Sequence, residues 1–201
     1  TVKTDKNGKI NIPDLKEGSY TITESVQLRY ADKQSVTVNV QAGKTASVTF
    51  NNILKKFNVK VVKKDSEKSI AQGNGTLAGA VYGIYDNGKL VDKYTTNANG
   101  EFTTKYYVCG DNWTIKEITP SEGYLLDTTV YKVGGEAKNF KIEYNSILSN
   151  VTEKVVKGRI AIIKHTNDGS TQIETPETGA EFQIFLKFAG SYENANPLSS
   201  Q

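Results

Sequence analysis

The chain has one cysteine, one histidine and no methionine among its 201 residues. A lone Cys109 cannot close a disulfide within the chain, so its fold must rest on core packing, metal or another kind of cross-link. A lone His165 has no second ligand in view, which gives no basis for a metal site or a bound cofactor. Without a methionine there is no initiator, and the chain reads as a section of a longer protein. No apolar run approaches membrane-spanning length, so membrane insertion of this segment is not expected. The 25 basic and 22 acidic residues are interspersed and leave a net charge of only +3. Nucleic-acid binding usually needs a clustered basic face, and none is visible.

What the chain does have is internal repetition. YTITE at 20–24 returns as WTIKE at 113–117, and GAVYGIY at 79–85 returns as GAEFQIF at 179–185. FNVKVVK at 57–63 returns as GRIAIIK at 158–164. Glu24 and Glu117 lie 93 residues apart, Asn52 and Asn150 lie 98 apart, and Lys63 and Lys164 lie 101 apart. Repetition at domain-length spacing marks a tandem array of similar domains. One complete unit is expected at 55–155, with partial units at 1–54 and 156–201.

Within the units, residues rich in Val, Ile, Thr and aromatics alternate with polar ones, the pattern of half-buried strands. It predicts strands at KINI 9–12, YTITE 20–24, SVTVNV 35–40, ASVTF 46–50, NVKVV 58–62, FTTKYYV 102–108 and NFKIEY 139–144. Asn87-Gly88 and Asn99-Gly100 supply the turn chemistry of tight hairpins. No stretch carries a convincing helical period. The expected fold is all-β: tandem β-sandwiches joined by short Lys-rich connectors at 53–58 and 151–158.

Alternation also says which side chains share the core. Tyr20, Ile22 and Glu24 fall on one face, as do Trp113, Ile115 and Glu117. Val59, Val61 and Lys63 share a face, as do Ile160, Ile162 and Lys164. Val48, Phe50 and Asn52 match Ile142, Tyr144, Ser146, Leu148 and Asn150. Each apolar stripe thus ends in one polar residue that should point inward: a Lys, a Glu or an Asn. Burial favours the neutral amine and the protonated acid. An amine beside a carboxamide and a proton-shuttling acid can form an amide bond between side chains, with loss of ammonia. Asn145 stands as an alternative partner to Asn150, and Asn51 to Asn52. Asn150-Val151-Thr152 also spells an N-glycosylation acceptor, which wants an exposed Asn150.

These residues carry a resemblance. NVKVVKKD at 58–65, GAVYGIYDNG, TTNANGEF, GDNWTIKE and TPSEGYLLD follow one another as do the segments of Cna-B-type, or SpaA-like, prealbumin-fold domains of Gram-positive surface adhesins and pilins. The chain resembles that family over essentially its whole length. The resemblance implies Lys63 as the bonding lysine, Glu117 as the catalytic acid and Asn150 as the bond partner. Glu24 and Asn52 are the equivalent positions in the first unit, and Lys164 in the last. It implies a structural stalk, not an enzyme beyond a single intramolecular turnover, on the extracellular, cell-wall-associated surface of a Gram-positive bacterium. Its partners would be neighbouring repeats, with host extracellular-matrix or cell-surface ligands reached through other domains. The alternative is a module that itself grips host protein or glycan, which an exposed aromatic patch would favour.

Three look-alikes carry no function. TPETG at 175–179 resembles a sortase sorting signal, but no apolar tail or basic end follows, and it aligns with the turn TLAGA at 76–80. Asp5-Lys6-Asn7-Gly8 opens like a calcium loop, yet no bidentate Glu follows at the required spacing. Tyr131-Lys132 lacks the proline of a pilin polymerisation motif.

Overall fold

A computed structural model describes residues 1–25, 27–164, 179–185 and 199–200. His165 and most of TPETG lie outside the described residues. The strands are β1 Gly18–Thr23, β2 Ser35–Val40, β3 Lys56–Asp65, β4 Val81–Asp86, β5 Lys89–Thr95, β6 Glu101–Thr103, β7 Tyr107–Val108, β8 Trp113–Thr119, β9 Val130–Lys132, β10 Tyr144–Glu153, β11 Gln183–Ile184 and β12 Ser199–Ser200. A single 3-10 turn, Ala137–Asn139, is the one helical element among the described residues.

The middle of the chain forms two facing four-stranded sheets. One runs β10-β3-β6, with β7 also paired to β3; the other runs β5-β4-β8-β9. Phe57, Val59 and Val61 of β3 are fully buried, and so are Tyr82 and Ile84 of β4 and Ile115 of β8. Trp113 packs edge-on against Phe57 with ring centroids 5.5 Å apart, and Tyr107 lies 4.7 Å from Trp113. This aromatic cluster fills one end of the sandwich. Asn87 and Gly88 both take positive φ, 49° and 77°, which matches the twist of the β4–β5 hairpin.

The first and last strands of the sandwich lie side by side. β10 pairs with β3 in parallel over its whole length, from Tyr144 opposite Lys56 to Glu153 opposite Asp65. The chain therefore enters at one end of this strand pair and leaves at the other.

Two expected strands differ in detail. FTTKYYV splits into β6 and β7, because the Thr104 hydroxyl accepts the Val59 amide at 3.0 Å where a backbone carbonyl would continue the ladder. NFKIEY gives a 3-10 turn and coil, and its strand begins only at Tyr144 and runs to Glu153, into the segment read as a connector. In the first part of the chain β1 pairs with β2 from Gly18↔Val40 to Thr23↔Ser35, while KINI and ASVTF form no strand. Residues 156–164 are exposed and form no strand, with Ile160 70% exposed.

Gly100 sits at the turn beneath Lys63 with φ of 74°, and its carbonyl accepts the Lys63 amide at 2.9 Å. A Cβ there would meet the Lys63 carbonyl oxygen at 2.8 Å and Leu77 Cβ at 3.0 Å. Gly100→Ala should cost about 1–3 kcal/mol, read as a fall of roughly 5–15 °C in Tm by scanning calorimetry. An unchanged Tm would mean the turn relaxes freely.

Candidate functional site

Opposite the aromatic end, the sandwich buries ionisable groups. Lys63 and Glu117 are each 1% exposed and Glu153 is 2% exposed. Their positions follow from the strands. Lys63 extends the inward stripe of β3 beyond Val59 and Val61. Glu117 does the same on β8 beyond Trp113 and Ile115. Glu153 ends the inward stripe of β10, two residues beyond Val151, which is the register partner of Lys63.

The Lys63 amine Nζ donates to Glu153 Oε2 and, at 2.8 Å, to Ser121 Oγ. Glu117 Oε1 lies 3.6 Å from the same Nζ, and the Tyr124 ring lies beneath it with its centroid at 4.9 Å. The Tyr82 hydroxyl donates to Glu153 Oε1 at 2.5 Å. Tyr82 stands opposite Glu117 in the β4–β8 ladder, so both reach the cluster from the facing sheet. Glu117 is oriented by the Asp127 amide, which donates to its Oε2 at 2.8 Å. Asp127 is fixed in turn by the Thr129 amide at 2.9 Å and the Tyr131 hydroxyl at 2.5 Å.

One ammonium can balance one carboxylate in this dry space. Burial, and then the Glu153 carboxyl beside it, push Glu117 up to about 7, against the pull of the Asp127 amide and Lys63. Burial and the bond to Glu153 also raise the Tyr82 phenol far above its ordinary value, so it stays a donor. The set therefore holds an amine, a carboxyl group and a second carboxyl able to carry a proton near neutrality.

The structure brings Lys63 and Glu117 together as expected. It does not bring Asn150 to them. Asn150 points outward, as do Tyr144 at 50% exposure and Leu148 at 61%. The inward face of β10 is the opposite parity: Asn145, Ile147, Ser149, Val151 and Glu153. Tyr144 and Leu148 on the outer face of β10 are matched by Ile147 and Val151 on the inner one, so alternation within the strand does not decide between the faces; Ile142, just before it, continued the outward parity. Asn145 faces inward but at the far end, opposite Phe57, where its amide donates to the Lys56 and Ile142 carbonyls at 2.9 and 2.8 Å. Trp113, on the same strand face as Glu117, belongs to the aromatic end with Phe57 and Tyr107. Glu153, Ser121 and the Tyr82 hydroxyl went unassigned in the sequence. Parity counted from Val151 instead of Asn150 finds Glu153.

In the first part of the chain Glu24 and Asn52 do meet. Asn52 Nδ2 donates to Glu24 Oε1 at 2.6 Å, and Glu24 Oε2 and Asn52 Oδ1 are buried without hydrogen-bond partners. Lys164 is exposed. Asp5 Oδ1 is used by the Asn7 and Lys9 amides at 2.8 and 2.9 Å, as a turn requires.

A family model described as a prealbumin-like fold domain, SpaA, matches residues 1–54 and 57–148. Over 58 residues the chain is 40% identical to the trypsin-resistant surface T6 protein of Streptococcus pyogenes serotype M6, a match covering 28% of this chain and 11% of that protein. The solved structure of the Bacillus anthracis TIE protein matches with a TM-score of 0.61 and 26% identity, over 76% of this chain and 28% of that one. The T6 backbone pilin of serotype M6 Streptococcus pyogenes matches at 28% identity over 50% of this chain and 18% of that one, with a TM-score of 0.34. The chain spans less than a third of the length of each of these relatives.

Glu117 gives the site a pH signature. Folded, it keeps its proton up to about 7; unfolded, it loses it near 4.5. The folded state binds the extra proton between those values, so the contribution is full below 4.5 and is lost as pH rises through about 7. Asp65 and Asp127 are both held below the ordinary carboxylate range: burial works against each, but hydrogen bonds, chiefly from the Lys68 and Glu67 amides and from Thr129 and Tyr131, outweigh it. They titrate below this window. Burial, the largest cause at Glu117, persists whatever bond Lys63 makes. Tm should fall from pH 5 to pH 8, and Glu117→Gln should flatten that slope. An unchanged slope in Glu117→Gln would place the titration elsewhere.

Proposed function

Because the chain belongs to the SpaA family of prealbumin-like fold domains, we propose that it is a stalk segment of a cell-surface protein, locked by a side-chain amide between Lys63 and Glu153. The single observation that carries the lock is the fully buried Lys63 amine placed on the Glu153 carboxylate, with Glu117 at 3.6 Å. Glu153 takes the role first expected of Asn150, which stands on the outer face.

The chemistry balances as a condensation. A proton passes from the Lys63 ammonium to the carboxyl pair, leaving a neutral amine and a protonated Glu153. The amine nitrogen attacks the Glu153 carboxyl carbon. Glu117 gives its proton to the departing Glu153 oxygen, which leaves as water, and takes back the proton that the nitrogen sheds. One C–N bond forms and one C–O bond breaks, with no redox partner. Glu117 therefore acts as general acid and base, and the reaction turns over once.

The mechanical consequence follows from topology. Lys63 and Glu153 are 90 residues apart in sequence but sit on adjacent parallel strands. Tension entering at the start of β3 would cross to β10 at Lys63 and leave through Glu153. The intervening chain would bear none of it. Closing a loop of this size contributes roughly 4–5 kcal/mol by the chain-entropy relation for cross-links. The units at 1–54, 55–155 and 156–201 are proposed as successive stalk repeats. Their partners are neighbouring repeats of the same protein, on the outer surface of a Gram-positive bacterium.

One observation favours a second reading, a module that binds a host protein or glycan. Tyr106 and Tyr144 form an exposed edge-on pair at 4.8 Å, with Lys56 Nζ 5.1 Å from the Tyr144 centroid. Exposed aromatics of this kind can seat a ligand.

Intact mass tests the lock on the folded 201-residue chain. The expected result is a deficit of one water, with full mass restored in Glu117→Ala. A deficit of one ammonia would instead indicate an asparagine such as Asn150. Full mass in the folded wild-type chain would reduce the site to an ionic cluster.

A further inference from the structure

The Tyr82 hydroxyl is an addition that packing does not require. The same position in the repeat, within GAEFQIF, is Phe182. Yet at Tyr82 the hydroxyl is buried against one particular oxygen, Glu153 Oε1, at 2.5 Å, while the other oxygen, Oε2, meets Lys63. The two oxygens of one carboxyl group are thus held by groups of different kinds, a neutral donor that stays protonated and an amine.

We propose that Tyr82 is a catalytic residue of the cross-linking step, its phenol serving as the oxyanion donor when Lys63 attacks Glu153. This rests on the reading that Lys63 and Glu153 are joined. As the amine nitrogen bonds to the carboxyl carbon, the electron pair of the C=O bond moves onto Oε1. That is the oxygen Tyr82 faces. Oε2, on the Lys63 side, is the one protonated by Glu117 and released as water. The electron pair on Oε1 then returns to rebuild the carbonyl of the new amide, and the phenol ends hydrogen-bonded to it with its proton in place.

The donor is fixed before the reaction. The Tyr82 ring is fully buried and packs on Phe102 at 5.6 Å, which stacks in turn on Tyr94 at 5.4 Å. Fixed donors aimed at developing charge in a water-free site are worth far more than mobile ones, since they need no reorganisation. Ser121 has a different task. It accepts from the Lys63 amine and so orients the nucleophile, without touching the carbonyl oxygen.

The test is a time course. The full chain is made by cell-free synthesis in a short pulse, samples are quenched in denaturant at successive times, and intact mass counts the fraction that has lost water. Tyr82→Phe removes one oxygen and keeps the ring. It should slow water loss by about 100-fold, the scale set by losing one oxyanion donor. The pH midpoint of the rate, set by Glu117, should not move. A purely structural hydroxyl would lower Tm without this selective loss of rate. Should Tyr82→Phe not fold, 3-fluorotyrosine at position 82 keeps the shape and strengthens the donor, and is expected to speed the reaction. Wild-type chain that loses water while Tyr82→Phe matches its rate overturns the role of Tyr82 and leaves the cross-link standing. An equal rate with fluorotyrosine does the same. Wild-type chain that never loses water overturns both.

Discussion

A buried amine faces two buried carboxyls where the first and last strands of the middle sandwich meet. Removing one member of such a cluster would strand a charge in a dry core, at a cost on the order of 3–5 kcal/mol. The surroundings answer that constraint. Ser121 and the Tyr124 ring complete the shell of Lys63. The Asp127 amide holds Glu117, and the Tyr82 hydroxyl holds Glu153. Loop 120–127 has to fold over the end of the sandwich to bring these groups in, and the turn at Gly100 has to come within hydrogen-bond reach of Lys63. Polar satisfaction at one end of the core thus dictates loops that apolar packing alone would leave open.

The sandwich divides its labour between its two ends. Phe57, Tyr107 and Trp113 fill one with aromatic volume, and the Lys63 cluster fills the other with hydrogen bonds. The parallel pairing of β3 with β10 ties both ends together. It also aligns the cluster with the direction in which a tethered chain would be pulled. A strand pair loaded in this way resists through all its ladder bonds at once, and a covalent bridge at the exit would bypass even those.

Much of this was legible in the sequence. The stripe Val59, Val61, Lys63 and the stripe Trp113, Ile115, Glu117 alternate cleanly, because each strand has one strongly apolar face. The Glu24–Asn52 contact was likewise readable from repetition. β10 was not. Outward Tyr144 and Leu148 are balanced by inward Ile147 and Val151, so alternation left the faces equal, and Ile142 ahead of the strand tipped the reading outward. What sets its register is tertiary: in parallel pairing with β3, Val151 stands opposite Lys63. A shift of one residue exchanges the faces of a strand, and here it exchanged Asn150 for Glu153. Thr104 is a second case, since a side-chain hydroxyl that replaces a ladder carbonyl leaves no mark in the hydrophobic pattern.

The most direct measurement is peptide mapping of the folded, purified chain by tandem mass spectrometry after complete proteolysis. The account predicts a branched peptide in which the Lys63 side chain is joined through an amide to the Glu153 side chain, in place of the two linear peptides. Recovery of both linear peptides unmodified, or a branch ending at Asn150, would contradict it.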